Sequence, residues 1–421
     1  MAKRASSHNH SMNKTKFYQQ FLALTVFLLP LLHAPVANEF YEFIKANFLY
    51  FFGGLLIAIY VTELVLKNAK FPNIPVYIKL YLLSFVISTI FSAHVYTSVW
   101  GYYTRFNDGL ILTLVLFGIY AVAKEKLVKL DFDLLFKFAV FSLIPVSIYA
   151  IYQHATMGRV YATFGQPNWL AQYLAMLLPF ANLLFLIETP VVLWYLISVV
   201  GYTALWFTYS LSGILGYAIG LGLLIVKASK SKNAVNKILL LIATFVLVSI
   251  INLGVFKLRV LDAWKDITKV TSYTPAAHAQ TENIVASTQR NLSDTGFIRT
   301  ELWPATLKLV FSSPKNVLIG TGPETYPYVF QKFRPKSLNY SSEWNFVFNK
   351  PHNYYLEVLS EQGLLGFGTY LLLCWQLLKK LERKYLYGFA AFFVANIFGW
   401  PTVAPALLFW LMLASLEAKD A

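Results

Sequence analysis

Residues 238–256 read ILLLIATFVLVSIINLGVF and contain no charged side chain. An uninterrupted apolar run of roughly 18–20 residues is long enough to cross the hydrocarbon core of a membrane as a helix. The residues that follow, 257–352, are polar, and apolar sequence resumes after them. Because 57% of the chain is hydrophobic and only 13% is charged, this segment predicts a membrane helix beside a large polar loop.

More apolar runs lie on both sides of this one, at 18–37, 48–66, 76–93, 109–123, 134–152, 170–187, 191–209, 211–226, 354–378, 385–399 and 402–417. Together they predict an all-α, polytopic membrane protein of about twelve transmembrane helices. The predicted organisation is an N-terminal transmembrane bundle over residues 1–256, a large, partly helical loop over 257–352, and C-terminal transmembrane helices over 353–421.

Lysine and arginine are concentrated in alternate connections between these runs. The basic connections contain Lys3, Arg4, Lys14, Lys16, Lys67, Lys70, Lys124, Lys126, Lys129, Lys227, Lys230, Lys232, Lys237, Lys379, Lys380, Arg383 and Lys384. The short connections between them contain only Lys45, Arg105 and Arg159. Cytoplasmic loops carry the excess of Lys and Arg. We therefore expect a bacterial inner-membrane protein with both termini in the cytoplasm and the large loop in the periplasm.

The formal net charge of +15 lies mostly in the basic connections. No soluble module carries a basic stripe interleaved with aromatic residues, so we expect no nucleic-acid partner. The large loop also holds more Lys and Arg than Asp and Glu, which the predicted orientation does not require. An anionic substrate and anionic lipid headgroups both fit this surplus. The single cysteine, Cys374, excludes a disulfide within the chain.

The large loop divides into segments of different character. Residues 257–271 and 295–312 have apolar positions at helical spacing and predict two amphipathic helices. The apolar positions of the second helix are Ile298, Leu302, Leu309 and Val310. Residues 272–293 are polar, and we expect them to be mobile. A third helix is expected to begin at Pro323, since proline suits the first helical position, and residues 337–351 form an aromatic linker.

Two outward-facing arginines are candidates for a functional site. Arg159 lies in a short loop rich in Gly, Pro, Asn and Gln, where it either clamps a phosphate through two hydrogen bonds or extends to lipid headgroups. Arg299 lies on the predicted amphipathic helix 295–312, where it faces either a ligand or solvent.

His352 stands where the large loop meets the next apolar run. The positive end of a helix disfavours imidazolium, and a neutral imidazole accepts a proton from a hydroxyl. A histidine at this place also caps its own helix in other proteins, and both roles fit the sequence. Glu357 and Glu361 lie four residues apart on one face of the same helix, and ionisable groups at membrane depth are functional candidates.

Three segments together resemble the O-antigen ligase and polymerase superfamily. They are His352-Asn353, nine residues, Gly363, two residues and Gly366; Phe164-Gly165-Gln166-Pro167-Asn168; and Arg299-Thr300-Glu301-Leu302-Trp303 running on to Leu318-Ile319-Gly320-Thr321-Gly322-Pro323. They occur in the family's order, and the resemblance extends over roughly residues 140–400.

The resemblance implies a metal-independent glycosyltransferase without a cofactor, acting on a glycan linked to undecaprenyl diphosphate. In such ligases, outward-facing arginines hold the diphosphate and the loop histidine is the base on the acceptor hydroxyl. The corresponding positions here are Arg159, Arg299 and His352. Gln166, Asn168, Asn353 and Tyr355 are expected to bind substrate.

The resemblance leaves the acceptor open among a lipid core, a growing glycan and a protein. Ligase, polysaccharide polymerase and protein O-oligosaccharyltransferase therefore remain alternatives, and a flippase of lipid-linked sugars is an alternative of another class. Gln166 corresponds to a glutamine of the protein O-glycosylating ligases. Tyr209-Ser210-Leu211-Ser212-Gly213 lacks the Ser-Arg pair that many relatives carry there, so the role of that arginine is absent or is supplied by another residue.

Overall fold

The computed structural model describes residues 16–36, 39–254, 256–257, 260–261 and 295–418, which are organised as helices joined by loops. The helices are α1 (16–28), α2 (Glu42–Leu66), α3 (Val76–Ile90), α4 (Val95–Trp100), α5 (Leu110–Lys126), α6 (Lys129–Met157), α7 (Pro167–Ile187), α8 (Val191–Phe207), α9 (Leu211–Ala228), α10 (Lys232–Ile251), α11 (Thr295–Val310), α12 (Pro314–Ile319), α13 (Tyr326–Val329), α14 (Tyr354–Lys380), α15 (Arg383–Ala395) and α16 (Val403–Ser415). The prediction of an all-α fold is confirmed.

Within the described part of the chain, five helices are long and apolar enough to cross a membrane, namely α2, α6, α7, α9 and α10. The shorter helices α3, α8 and α16 are also apolar. These helices make the chain an integral membrane protein. Each apolar run named above contains a described helix, while the number of membrane crossings stays a prediction.

Helix α7 lies at the centre of the bundle and is buried at every position from Trp169 to Phe185. It packs against α8, α9 and α15. Small residues allow this close packing, since a Cβ added to Gly216 of α9 would lie 2.6 Å from the backbone oxygen of Ala391 in α15. Where water does not drive association, helices pack through such close backbone approach. The packing brings the loop after α15 beside the first turns of α7.

The bundle has two chemically different ends. At one, which we call the basic end, ion pairs join helix ends: Lys126 with Glu63, Lys384 with Asp133, and Lys380 with Glu417. Helix α1 reaches this end, where Gln19 donates to Asp131. The other, which we call the site end, carries the loops before α5 and α7, the large loop, and the loop between α15 and α16. The first and last described helices therefore both have contacts at the basic end.

The large loop has a hydrophobic core of its own. Side chains of α11 pack against the later part of the loop, and the members of this core are Ile298, Leu302, Ala305, Leu309, Tyr326, Phe330, Leu338 and Phe348. The predicted amphipathic helix 295–312 is confirmed as α11, with Val310 buried as well. Of the predicted segments 257–271 and 272–293, only residues 257, 260 and 261 are described, so these predictions lie outside the described residues.

The prediction that a helix begins at Pro323 is wrong. Helix α13 begins at Tyr326 and continues as a 3₁₀ turn, Phe330–Lys332. The reason is a turn at Glu324, which has a φ of 60°. The backbone N–H of Glu324 donates to Glu361 Oε2 at 2.8 Å, so it is held by α14 instead of entering a helix.

Candidate active site

An open cavity of about 650 Å³ lies at the site end of the bundle. Its walls come from residues 39–41, from the segment between α6 and α7 with the first turn of α7, and from residues 343 and 346–349 of the large loop, together with Arg105, His352 and Trp400. A small recess adjoins it. Gln166, Trp169, His352 and Trp400 line both spaces. The large loop and the loops of the bundle therefore build one site together.

His352 lies two residues before α14 with a positive φ of 56°. Its ring meets the Trp400 ring edge-on, with 5.3 Å between the ring centroids. Asn353 is the residue that caps α14, because its Oδ1 accepts from the backbone N–H of Leu356 at 3.1 Å. The alternative that His352 caps its own helix is therefore wrong, and the imidazole faces the cavity.

Two guanidinium groups act on His352. Burial, then the charge of Arg299 and then that of Arg105, lowers the pKa of His352 to about 3. The imidazole is consequently neutral at pH 7 and able to accept a proton. The causes are burial and the charge of two side chains, whereas the sequence predicts that the positive end of the helix keeps the imidazole neutral.

The two arginines are held by aromatic rings. The Arg299 Nη2 donates to the backbone oxygen of Phe398 at 2.8 Å, and its guanidinium lies over the Phe398 ring, 5.9 Å from the centroid. The Arg105 guanidinium lies over the Trp169 ring at 4.8 Å. A guanidinium keeps its positive charge while it stacks on an aromatic face, so both groups bring a fixed positive charge to the surroundings of His352.

The segment between α6 and α7 is fixed by side-chain contacts with the backbone. Gln166 caps α7, since its Oε1 accepts from the N–H groups of Asn168 and Trp169 at 2.8 and 3.1 Å. The Asn168 Oδ1 accepts from Ser210 Oγ at 2.7 Å. Lys45, which forms a fully buried ion pair with Glu42, donates to the Thr163 oxygen at 2.8 Å. Gln166 and Asn168 thus reach the site with their oxygens already engaged.

The other predicted site residues lie further from His352. Arg159 donates from Nε to the backbone oxygen of Thr208 at 3.0 Å, and it is not among the described residues that line the cavity or the recess. The Tyr355 hydroxyl donates to the Phe393 oxygen at 2.9 Å, which directs it towards α15. The structure brings His352, Gln166 and Asn168 together. Arg299 contacts Phe398, which lines the recess, but Arg299 itself is not among the described residues that line the cavity or the recess.

Helix α14 is kinked at Gly363, where φ is 64° and ψ is −169°. The kink leaves two carbonyl groups of the preceding turn without helical donors. The backbone N–H of Thr321 donates to Ser360 O at 3.1 Å and that of Gly322 to Glu361 O at 2.8 Å. Residues 320–323 therefore dock on the kink. This contact gives a physical reason for the glycine at position 363 of one motif and for the turn at residues 320–323 of another.

Beneath the cavity, Lys350 is surrounded by carboxylates. Its Nζ lies 2.5 Å from Glu324 Oε1, 2.5 Å from Glu357 Oε1 and 3.3 Å from Asp108 Oδ2. We call these four residues the Lys350 cluster. Burial alone would lower the pKa of Lys350, but the three carboxylates raise it well above its ordinary value. The carboxylates lie close enough together to hold a metal ion, yet the ammonium group already contacts an oxygen of each.

Residues 196–371 match a family model described as O-antigen ligase. The match supports the O-antigen ligase-like family for this part of the chain. The resemblance inferred from the sequence is thereby confirmed, and the match contains Arg299, His352 and the Gly363 kink. The O-antigen ligase-like segment Phe164–Asn168 lies outside the matched residues. No curated protein matches the chain.

The family match and the apolar helices support an O-antigen ligase-like membrane enzyme. Sequence reasoning missed four residues of its site: Arg105, Trp169, Trp400 and Lys350. The one sequence signal for Arg105 was that it is among the three basic residues of the short outward connections. Trp169 and Trp400 gave no signal, because they lie just outside the apolar runs 170–187 and 385–399 and only the packing of α7 and α15 brings them to the cavity that His352 lines.

Proposed function

We propose that this O-antigen ligase-like protein transfers a glycan from a polyprenyl-diphosphate carrier, such as undecaprenyl diphosphate, to an acceptor hydroxyl. The observation that carries the proposal is a neutral His352 on the wall of an open cavity, acted on by two guanidinium groups. The family match supports a lipid-linked glycan as donor.

His352 is the proposed general base. The acceptor hydroxyl oxygen attacks the anomeric carbon of the donor glycan while its proton passes to an imidazole nitrogen of His352. The bond between that carbon and the diphosphate oxygen breaks, and its electron pair leaves with the diphosphate. General-base catalysis of this kind contributes about 10²–10⁴-fold to a rate. A pKa lowered to about 3 keeps the imidazole unprotonated for this task at neutral pH.

Arg299 and Arg105 are the proposed counter-charges for the diphosphate. Negative charge grows on the leaving group as the bond breaks, and fixed positive groups stabilise that transition state. Arg105 also offers a replacement for the arginine that many relatives carry near residues 209–213 and that this chain lacks. The predicted contact between Arg159 and the diphosphate remains a prediction.

The proposed orientation places the basic end in the cytoplasm and the site end on the outer face of the inner membrane. Support comes from the Lys and Arg of alternate connections, which meet at one end of the bundle. Both termini would then be cytoplasmic, with about twelve crossings. Cysteine accessibility in intact cells tests this, with a cysteine introduced at exposed Phe346 expected to react and one at exposed Lys67 expected to be protected.

The proposed function is tested by reconstituting the purified protein in liposomes with an undecaprenyl-diphosphate oligosaccharide and one acceptor at a time. The acceptors are a lipid core, a second carrier-linked glycan and a peptide, and mass spectrometry identifies the product. We expect one acceptor to gain the glycan while carrier diphosphate is released. Movement of the donor across the bilayer without a covalent product would contradict the proposal and indicate a flippase.

A further inference from the structure

We propose that the Lys350 cluster positions His352 for proton transfer by holding the turn on which it stands. This inference rests on the proposed role of His352 as the base. Lys350 is 1% exposed and is not among the described residues that line the cavity or the recess. It therefore acts through His352 and not by contact with substrate.

The backbone at His352 needs to be held in place. Its φ of 56° lies in the left-handed region, which residues other than glycine rarely adopt. Such a conformation persists only where the surrounding structure fixes it. The direction of the imidazole depends on this φ, so any relaxation of the turn would rotate the base away from the cavity.

The contacts on both sides of His352 supply this restraint. Before it, the Pro351 backbone oxygen accepts from Trp303 Nε1 at 3.2 Å. After it, the N–H of Tyr354 donates to the Asn396 oxygen at 2.9 Å. These single hydrogen bonds join the turn to α11 and to the end of α15.

Lys350 adds the only charged restraint on this turn among the described residues, and it joins three further elements. Asp108 precedes α5, Glu324 precedes α13, and Glu357 lies in the first turn of α14. Because Lys350 precedes His352 by two residues and Glu357 follows it by five, their 2.5 Å contact closes the turn across its base. The Lys350 ammonium also lies over the ring of Trp400, 5.8 Å from its centroid, which is the ring that His352 contacts.

Glu357 and Asp108 are not among the described residues that line the active-site cavity. They line a separate space of about 60 Å³ between α3, α5, α14 and α16. Substrate in the active-site cavity therefore meets His352 and Arg105 but not the cluster. Loss of the cluster is expected to change the rate of transfer more than the affinity for the donor.

The test is a double-mutant cycle on the full-length protein in liposomes, with Lys350→Met and His352→Asn. Asparagine suits position 352 because it tolerates a positive φ better than most residues. We expect Lys350→Met to lower kcat on the order of 10–10²-fold and to change KM for the donor about twofold or less. In the His352→Asn background, Lys350→Met should cause no further loss of rate, since a positioning residue has nothing left to position.

Two further variants keep the outcome decisive. Glu357→Gln removes a charge but keeps an oxygen for Lys350, so it should lower kcat less than Lys350→Met, and it replaces that variant if Lys350→Met does not fold. Lys126→Met breaks the 2.5 Å pair with Glu63 at the basic end and should leave kcat unchanged.

An equal loss of rate from Lys350→Met with and without His352 would overturn the inference, since it would indicate a structural role only. A wild-type kcat in both Lys350→Met and Glu357→Gln would overturn it as well. The proposed function fails separately, if His352→Asn alone retains the wild-type rate.

Discussion

The two ends of the bundle both use ion pairs, but the pairs differ in exposure. At the basic end the side chain of Lys380 is 43% exposed, that of Lys384 is 30% exposed and that of Lys126 is 19% exposed. At the site end Lys45 is fully buried and Lys350 is 1% exposed. Exposed pairs contribute about 0–1 kcal/mol, whereas breaking a buried pair by removing one partner costs about 3–5 kcal/mol.

The difference shows what charge does in each region. At the basic end, charge acts through the proposed orientation in the membrane, and we expect any one residue to matter little. At the site end, buried charge fixes backbone geometry around His352 and Gln166, and Arg105 forms no ion pair with a described acidic side chain. A protein that carries only a glycan donor across a membrane has no need of a neutral base beside such an arginine.

Substitution of the two arginines should have the largest effect. Arg105→Gln combined with Arg299→Gln removes the proposed counter-charges, and each such group contributes on the order of 10²–10³-fold to a rate. We expect transfer to fall at least about 10³-fold, measured as initial rate in liposomes. The matched control, Lys380→Gln with Lys384→Gln, removes two positive charges at the basic end. A similar loss in the control would mean that charge acts through membrane insertion and not in the site.

The kink of α14 should be the most sensitive part of the fold. Gly363→Ala places a Cβ 2.4 Å from the carbonyl carbon of Leu318 at a φ of 64°. Backbone strain and overpacking together should cost about 2–4 kcal/mol. Gly222→Ala in α9 is the control, since its Cβ would meet no atom within 4 Å. Thermal unfolding in detergent measures both, and equal midpoints would show that the kink is not needed.

The pH dependence of the transfer rate should depend on the positive charge of the arginines near His352. His352 acts in its neutral form, which is lost as the pH falls through its pKa of about 3. Arg105→Gln removes one positive neighbour, so the pKa of His352 should rise and the acidic fall in rate should move to higher pH. Burial raises the pKa of the Asp108 carboxyl to about 6. Asp108 is present in both the wild type and Arg105→Gln, so it does not account for a difference between their pH profiles. An unshifted profile of rate against pH would contradict the effect of Arg105 on the pKa of His352.

The smallest effect is expected at the basic end. Lys384→Gln breaks the pair with Asp133 while leaving Tyr385 to donate to the same carboxylate. The free energy of unfolding should fall by about 1 kcal/mol or less, with transfer unchanged. A larger loss would mean that breaking an ion pair costs as much stability at the basic end as at the site end.

Much of the fold was predictable because apolar runs and helical spacing are local properties. The helices and the buried positions of α11 followed from residues such as Ile298 and Leu302. The helix expected at Pro323 was wrong because Glu361, distant in sequence, holds the backbone of Glu324.

The site was only partly predictable for the same reason. His352 and Arg299 belong to motifs with fixed spacing. Arg105 and Trp400 come from loops far apart in sequence, and only the packing of α7, α14 and α15 brings them to the cavity. The pairing of Lys350 with Asp108 spans 242 residues, a distance over which sequence spacing carries no information.

The rate of glycan transfer by His352→Asn tests the central claim most directly. The variant keeps a residue that tolerates the positive φ and removes the base. With the same liposomes, donor and acceptor as the wild type, the initial rate should fall about 10²–10⁴-fold while thermal stability and KM for the donor stay close to wild type. A variant that retains the wild-type rate would contradict the assignment of His352 as the base.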